Sequence, residues 1–213
     1  SEEGKNTALK LMKKISEDYD TYYVNGEHDN EESFFDELRK NDVNVLDYKS
    51  EDITISETMN ILADKNVTIN LNGKILTNKL DNTNTDVLTV AAGGTLIIDG
   101  EGTVEAVTGN DGYAVISDGT LIINGGTFKS GVDANGEANA VIYARGNGKI
   151  YVNGGTFPND SDSKYVLNKK DADRATTVIE VTGGKFQNFN PGDNAAEGTG
   201  TNFLADGYTV KKD

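Results

Sequence analysis

The chain has no cysteine and no tryptophan, two prolines, one histidine and no long apolar run. Without cysteine there is no disulfide framework, no thiolate metal site and no cysteine nucleophile, and the redox compartment stays undecided. Basic residues are scarce as well: 20 Lys and Arg against 35 Asp and Glu leave a formal charge of −15. Such a surface does not suit wrapping nucleic acid or docking on an anionic membrane, since both need a basic face. No apolar stretch approaches the ~20 residues of a membrane-spanning helix, so membrane insertion is not expected. No signal-like segment is visible, and the start at Ser1 rather than Met leads us to expect a processed or trimmed chain. The surplus lies elsewhere: 24 glycines with abundant Asn, Asp and Thr favour many short strands joined by tight turns.

Those glycines recur in phase. Gly119-Thr-Leu-Ile-Ile-Asn-Gly-Gly-Thr-Phe128 is followed by Gly148-Lys-Ile-Tyr-Val-Asn-Gly-Gly-Thr-Phe157 and Thr177-Val-Ile-Glu-Val-Thr-Gly-Gly-Lys-Phe186. Ile69-Asn-Leu-Asn-Gly73 and Leu96-Ile-Ile-Asp-Gly100 are earlier copies, giving five repeats at a period of 25–29 residues. A fixed period of this length means a stack of repeats. Ahead of the glycine stand Ile69, Leu96, Leu121, Ile150 and Ile179, and two residues later Leu71, Ile98, Ile123, Val152 and Val181. Alternate residues of a strand share a face, so these ten aliphatics form two inward columns. A third column follows the glycine as Leu76, Phe128, Phe157 and Phe186, with Val104 one step late. The glycines therefore mark a bend between two strands, where a residue without Cβ fits best.

A further strand lies upstream in each repeat: Val87-Leu-Thr-Val90, Tyr113-Ala-Val-Ile-Ser117, Asn139-Ala-Val-Ile-Tyr143 and Lys164-Tyr-Val-Leu-Asn168. Aligning the shared Ala-Val-Ile triplet turns Ala114 with Ile116, and Ala140 with Ile142, inward. Three strands in under 30 residues, with no helix inside the repeat, predict a parallel β-helix; a propeller blade needs ~40 residues or more, and a leucine-rich repeat its own leucine spacing. Five coils at ~4.8 Å per strand step give a stack only ~24 Å long.

Residues 1–42 have a different texture. Ala8, Leu11, Met12, Ile15 and Tyr19 fall on one helical stripe, and Asp29-Asn-Glu-Glu32 reads as a capping box before a second short helix through Phe34, Phe35 and Leu38. This segment is expected to cap the open end of the stack or to anchor it to a larger assembly. From Val43 the period becomes alternating, and Val43 with Val45, then Ile53 with Ile55, look like the opening strands.

The Ile-x-Val/Ile-Asn-Gly-Gly-Thr-Phe repeat across residues 43–190 resembles the right-handed β-helix proteins of the pectate-lyase-like superfamily. The resemblance implies an all-β, single-stranded, right-handed parallel β-helix of about five coils with a short α-helical N-terminal cap. The last stretch, from Gly184-Lys-Phe-Gln-Asn-Phe-Asn-Pro191 to Asn202-Phe-Leu-Ala-Asp-Gly-Tyr-Thr-Val210, looks like the closing segment of β-helix modules in tailed-phage head fibres and capsid decorations and in some gut bacterial surface proteins. Residues 191–213 should then cap the last coil, burying Phe189, Phe203, Leu204, Tyr208 and Val210. The resemblance implies a virion or extracellular location and a capsid, other virion or cell-surface protein as partner.

Polysaccharide lyases and hydrolases on such a fold combine clustered carboxylates, often calcium, with a basic residue that moves protons. Here there are three arginines, Arg39, Arg145 and Arg174, and His28 stands in the polar N-terminal segment. Asp160 with Asp162, or Asp171 with Asp173, could hold a hard cation, but such pairs arise by chance in so acidic a chain. No catalytic residue, cofactor or metal is expected. Asn72, Asp99, Asn124, Asn153 and Thr182 share one position and read as a side-chain ladder rather than a ligand site. The informative positions point outward: Asn70, Ile97, Ile122, Tyr151 and Glu180 on one strand, and Val115, Val141 and Val166 on the upstream strand. A solvated sheet face should be polar at these positions, so Ile97, Ile122, Tyr151, Val115, Val141 and Val166 are the candidate interface, covered either by the N-terminal helix or by a partner, including a second copy. Tyr113, Tyr143 and Tyr165 are the candidates for binding a glycan. The function expected is a non-enzymatic structural or interaction module, most readily a virion protein, with a surface adhesin or carbohydrate-binding module as the alternative and a small polysaccharide lyase or hydrolase third.

Overall fold

The structure, a computed structural model, describes residues 9, 10, 13, 21–24, 43–46, 52–78, 86–107, 112–131, 140–159, 165–194 and 197–212. The chain divides into two units, Ser1–Glu51 and Asp52–Asp213. In the first, β1 (Thr21–Val24) and β2 (Val43–Leu46) pair in parallel. Val43 and Val45 are thus strand residues, but their partner is β1. Ala8, Leu11, Met12, Ile15 and Tyr19 of the first expected N-terminal helix, Phe34, Phe35, Leu38 and Arg39 of the second, and His28 lie outside the described residues.

The second unit is an all-β parallel solenoid. It opens with β3 (Ile53–Ile55) and then repeats three strands per turn. These are β4 (Met59–Ile61), β5 (Asn66–Asn70) and β6 (Lys74–Asn78); β7 (Leu88–Val90), β8 (Thr95–Asp99) and β9 (Gly102–Glu105); β10 (Val115–Ser117), β11 (Thr120–Ile123) and β12 (Thr127–Lys129). They continue as β13 (Ile142–Ala144), β14 (Lys149–Val152) and β15 (Thr156–Phe157), then β16 (Leu167–Lys169), β17 (Val178–Val181) and β18 (Lys185–Phe186). Every equivalent strand stacks on the next in three parallel sheets: β4-β7-β10-β13-β16, β5-β8-β11-β14-β17, and β3-β6-β9-β12-β15-β18. Five stacked strands are four steps apart, so the solenoid makes about four turns where five coils were expected.

The interior is one continuous apolar column set. Leu96, Ile98, Leu121, Ile123, Ile150 and Val152 are fully buried, and Phe128, Phe157 and Phe186 stack at 5.4 and 4.6 Å between ring centroids. The repeat spacing puts each phenylalanine directly above the last, so side chains interdigitate along the axis. Glycine at the bend is required sterically: a Cβ on Gly125 would lie 2.8 Å from the Gly100 carbonyl oxygen of the turn beside it.

The first repeats use longer bends. Ile69 pairs with Ile98 and Val67 with Leu96, so the first strand is offset by two residues from the expected alignment. The bend from Asn70 to Leu76 spans six residues, that from Asp99 to Val104 five, and that from Asn124 to Phe128 four. Val104 accordingly pairs with Phe128, one residue late as anticipated. The extra length carries Leu71 into the corner, where Gly126 leaves room for it: a Cβ there would lie 2.6 Å from the Leu71 Cδ1.

The upstream strands correct the Ala-Val-Ile alignment. Val115 pairs with Ile142, one residue away from matching the two triplets, whereas Ile142 pairs with Leu167 as the expected alignment has it. A one-residue slip exchanges the two faces of a strand. Ala114 and Val115, Val141 and Ile142, and Val166 and Leu167 are all buried in the core, because each pair enters through a bend that turns two successive residues inward. Ile116 falls instead in the outward column, beside Tyr143.

Candidate functional site

The outward column of the middle sheet runs Thr68–Ile97–Ile122–Tyr151–Glu180 in direct register. Ile97, Ile122 and Tyr151 are half-buried, flanked along each strand by fully buried neighbours such as Leu121 and Ile123 that face the core. Thr68 holds the end position expected for Asn70, a consequence of the two-residue offset. Of the other candidate interface residues, Val115, Val141 and Val166 are 0–2% exposed and belong to the core. The six candidates therefore separate into three that the β-strand alternation presents outward and three that it does not.

Along the bend, the side-chain ladder is continuous for three turns. Asn153 Nδ2 donates to Asn124 Oδ1 at 3.0 Å, and Thr182 Oγ1 donates to Asn153 Oδ1 at 2.9 Å. Asn70, not Asn72, stands opposite Asp99, and Asp99 Oδ1 accepts from its neighbour Gly100 N–H at 2.7 Å. The ladder borders a shallow groove of about 790 Å3 that follows the glycine bends, with Asp99 and Glu101 near one end and Lys185 at the other. Within its walls Asn124 bonds to Asn153 of the next turn, and Lys185 N–H donates to the Gly155 carbonyl.

The charged residues singled out in the sequence hold the last turns together. Arg145 Nε donates to both Asp118 carboxylate oxygens, at 3.0 and 2.9 Å. Asp173 Oδ2 accepts from Gly146 N–H at 2.7 Å, and Asp171 pairs with Arg174 at 3.0 Å. Asp160 and Asp162 lie outside the described residues. Glu197, which was not anticipated as important, is the centre of this network. Its side chain is 2% exposed and lies 3.3 Å from Arg174 Nη2, while its Oε1 accepts from Lys169 N–H at 2.8 Å. Lys169 Nζ donates to the Thr177 carbonyl at 2.8 Å, and burial holds its amine below the ordinary 10.5, opposed by the Glu197 carboxylate. Only its place in the closing segment could have pointed to Glu197, because its partners lie 23–28 residues away.

That closing segment covers two sheet edges. Val181 N–H donates to the Phe203 carbonyl and Ala205 N–H to the Val181 carbonyl, which lays Leu204 beside β17. Asn194 Nδ2 and Glu197 Oε1 satisfy the Leu167 carbonyl and Lys169 N–H on β16. Phe203 is buried as expected, whereas Tyr208 and Val210 are 51% and 42% exposed and line a groove of about 950 Å3 at this end of the solenoid. Tyr113 and Tyr143 stack on each other at 4.9 Å with an interplanar angle of 13°, and Tyr165 is exposed. Among the described residues, no group of three or more His, Asp or Glu side chains is arranged to hold a metal ion.

No protein-family model, curated protein or solved structure matches this chain.

Proposed function

We propose that the protein is a non-enzymatic structural and interaction module: a right-handed, pectate-lyase-like β-helix with a helical N-terminal cap or anchor, mounted on a virion as a head fibre or capsid decoration. The observation that carries the proposal is the Ile97–Ile122–Tyr151 column. Three large apolar side chains stand in direct register on the outward face of a sheet, between Thr68 and Glu180. A sheet face left to solvent alternates to polar residues, and an apolar run there is the chemistry of a face that another protein covers. The occupant is a capsid or other virion protein, a placement that rests on the resemblance of the closing segment. Quantitative mass spectrometry of purified particles tests it: the protein should be present in fixed proportion to the capsid protein. Recovery only with the cell envelope would overturn it.

The second reading, a surface adhesin or carbohydrate-binding module, is favoured by the Tyr113–Tyr143 stack and by the exposed Tyr165 ring. A glycan array separates the two, since binding lost in Tyr165→Ala and unaffected by Ile122→Asn belongs to the adhesin. A lyase would use Arg145, which is committed to Asp118. Product formation from acidic polysaccharide, lost in Arg145→Ala, would favour that enzyme instead.

A further inference from the structure

The groove of about 950 Å3 at the end of the solenoid has a composition that runs against that of the chain. The protein carries a formal charge of −15, yet among the described residues no Asp or Glu lines this groove, while Lys185, Lys211 and Lys212 do. Elsewhere in the solenoid Lys129, Arg145, Lys170 and Arg174 each lie against a carboxylate. The three groove lysines are exposed and make no ion pair among the described residues. Cations gathered without counter-charges, inside an otherwise acidic surface, make one local positive field that attracts anions.

Between the lysines the walls are apolar. Phe189 leans on Phe186 at 5.8 Å and 43°, so it fills the place that the next phenylalanine of the stack would take. The inward column ends there, and no further strand can follow it in register. Leu204 and Val210 sit on the turn at Gly192, where a Cβ would lie 3.0 Å from Leu204 Cδ1 and 3.5 Å from Val210 Cγ2. Exposed Tyr208 stands beside them. The neutral polar side chains of the lining are already in use. Thr182 Oγ1 donates to Asn153 Oδ1, Asn188 Nδ2 donates to the Asn159 carbonyl, and Asn190 Oδ1 accepts from Gly192 N–H. What the groove still offers is three amines and apolar surface. Sugar hydroxyls need amide and hydroxyl partners, which are committed, whereas carboxylates set among apolar side chains match both.

We infer that this groove is a docking site for an acidic segment of a partner protein, one that carries aromatic or large aliphatic side chains among its carboxylates. Lys185, Lys211 and Lys212 take the carboxylates through charge-assisted hydrogen bonds, and the apolar side chains cover Tyr208 and Val210. The segment is held by side chains and not by strand pairing, because Phe189 occupies the position beyond Phe186. The groove shares no residue with the Ile97–Ile122–Tyr151 column. The module thus has two separate attachment surfaces, and this inference does not depend on a virion role.

Fluorescence anisotropy of a labelled glutamate–tyrosine copolymer with the full chain tests it, with poly-glutamate and polygalacturonate as competitors. The copolymer should bind, although the chain as a whole repels polyanions, and about 0.5 M salt should weaken binding at least tenfold by screening the exposed amines. Lys211→Gln combined with Lys212→Gln should weaken it by about tenfold or more, and Tyr208→Ser should weaken the copolymer while leaving poly-glutamate unchanged. Poly-glutamate should compete about tenfold less well than unlabelled copolymer, because it leaves the apolar walls uncovered. Unfolding midpoints verify that the variants are folded; if the double variant is not, Lys185→Gln replaces it. A copolymer that does not bind overturns the inference, as does binding that the lysine substitutions leave undiminished. Polygalacturonate competing as well as the copolymer would assign the groove to an acidic glycan and overturn it. Binding lost in Ile122→Asn would move it to the outer column and likewise overturn it.

Discussion

Phe157 shows how much a single position carries in a repeat. It is fully buried and stacks on a phenylalanine of each neighbouring turn, at 5.4 and 4.6 Å. Truncation leaves a cavity facing two rings at once, and Phe157→Ala should lower stability by about 3–5 kcal/mol in urea titration. Lys169 gives a prediction of a different kind. Its amine is held below 10.5 first by burial, with Glu197 raising it and Arg174 lowering it. The folded chain binds that proton less tightly than the unfolded one. The charged amine therefore opposes folding at neutral pH, and the opposition fades as pH rises through the lowered folded-state value towards 10.5. Replacing Glu197 by Gln removes the carboxylate that favours the charge, so an NMR titration of Lys169 in Glu197→Gln should give a still lower pKa.

At the scale of elements, the closing segment is what ends the solenoid. Phe203 and Ala205 complete the edge of β17, and Glu197 satisfies Lys169 N–H on β16 while pairing with Arg174. Glu197→Ala should expose one edge and leave Arg174 without its buried partner, costing about 2 kcal/mol in thermal or chemical unfolding. Much of this architecture was legible in the sequence. The inward aliphatics, the phenylalanine stack and the bend glycines share one period, and three strands without a helix inside it point to a parallel β-solenoid. The register of the upstream strands was not legible. Two identical Ala-Val-Ile triplets invite a match, but hydrogen bonds align Val115 with Ile142, a slip that turns Val115 into the core, while Val141 and Val166 enter it through the bends that precede their strands. Sequence identity between repeats is a weaker constraint than the closed path of the backbone around the turn. Glu197 was illegible for a related reason, since no local pattern marks a residue whose partners come from the turn before it.

For the whole molecule, a stack in which each turn touches only its neighbours gains stability turn by turn and leaves its outer faces free to evolve as contact surfaces. The column that survives both the register and the burial is Ile97–Ile122–Tyr151, with Ile122 at its centre and apolar neighbours on both sides. An outward Ile122→Asn change should leave unfolding within about 0.5 kcal/mol of wild type, because the side chain adds little to the core. At a covered interface the same change removes apolar burial and introduces a polar group, a loss of about 1–3 kcal/mol or roughly tenfold or more in affinity. The most direct measurement is the fraction of folded protein retained on purified particles after washing, wild type against Ile122→Asn. Retention at least tenfold lower for the variant, at equal unfolding midpoints, is what the proposed docking face predicts. Equal retention of the two proteins would contradict it.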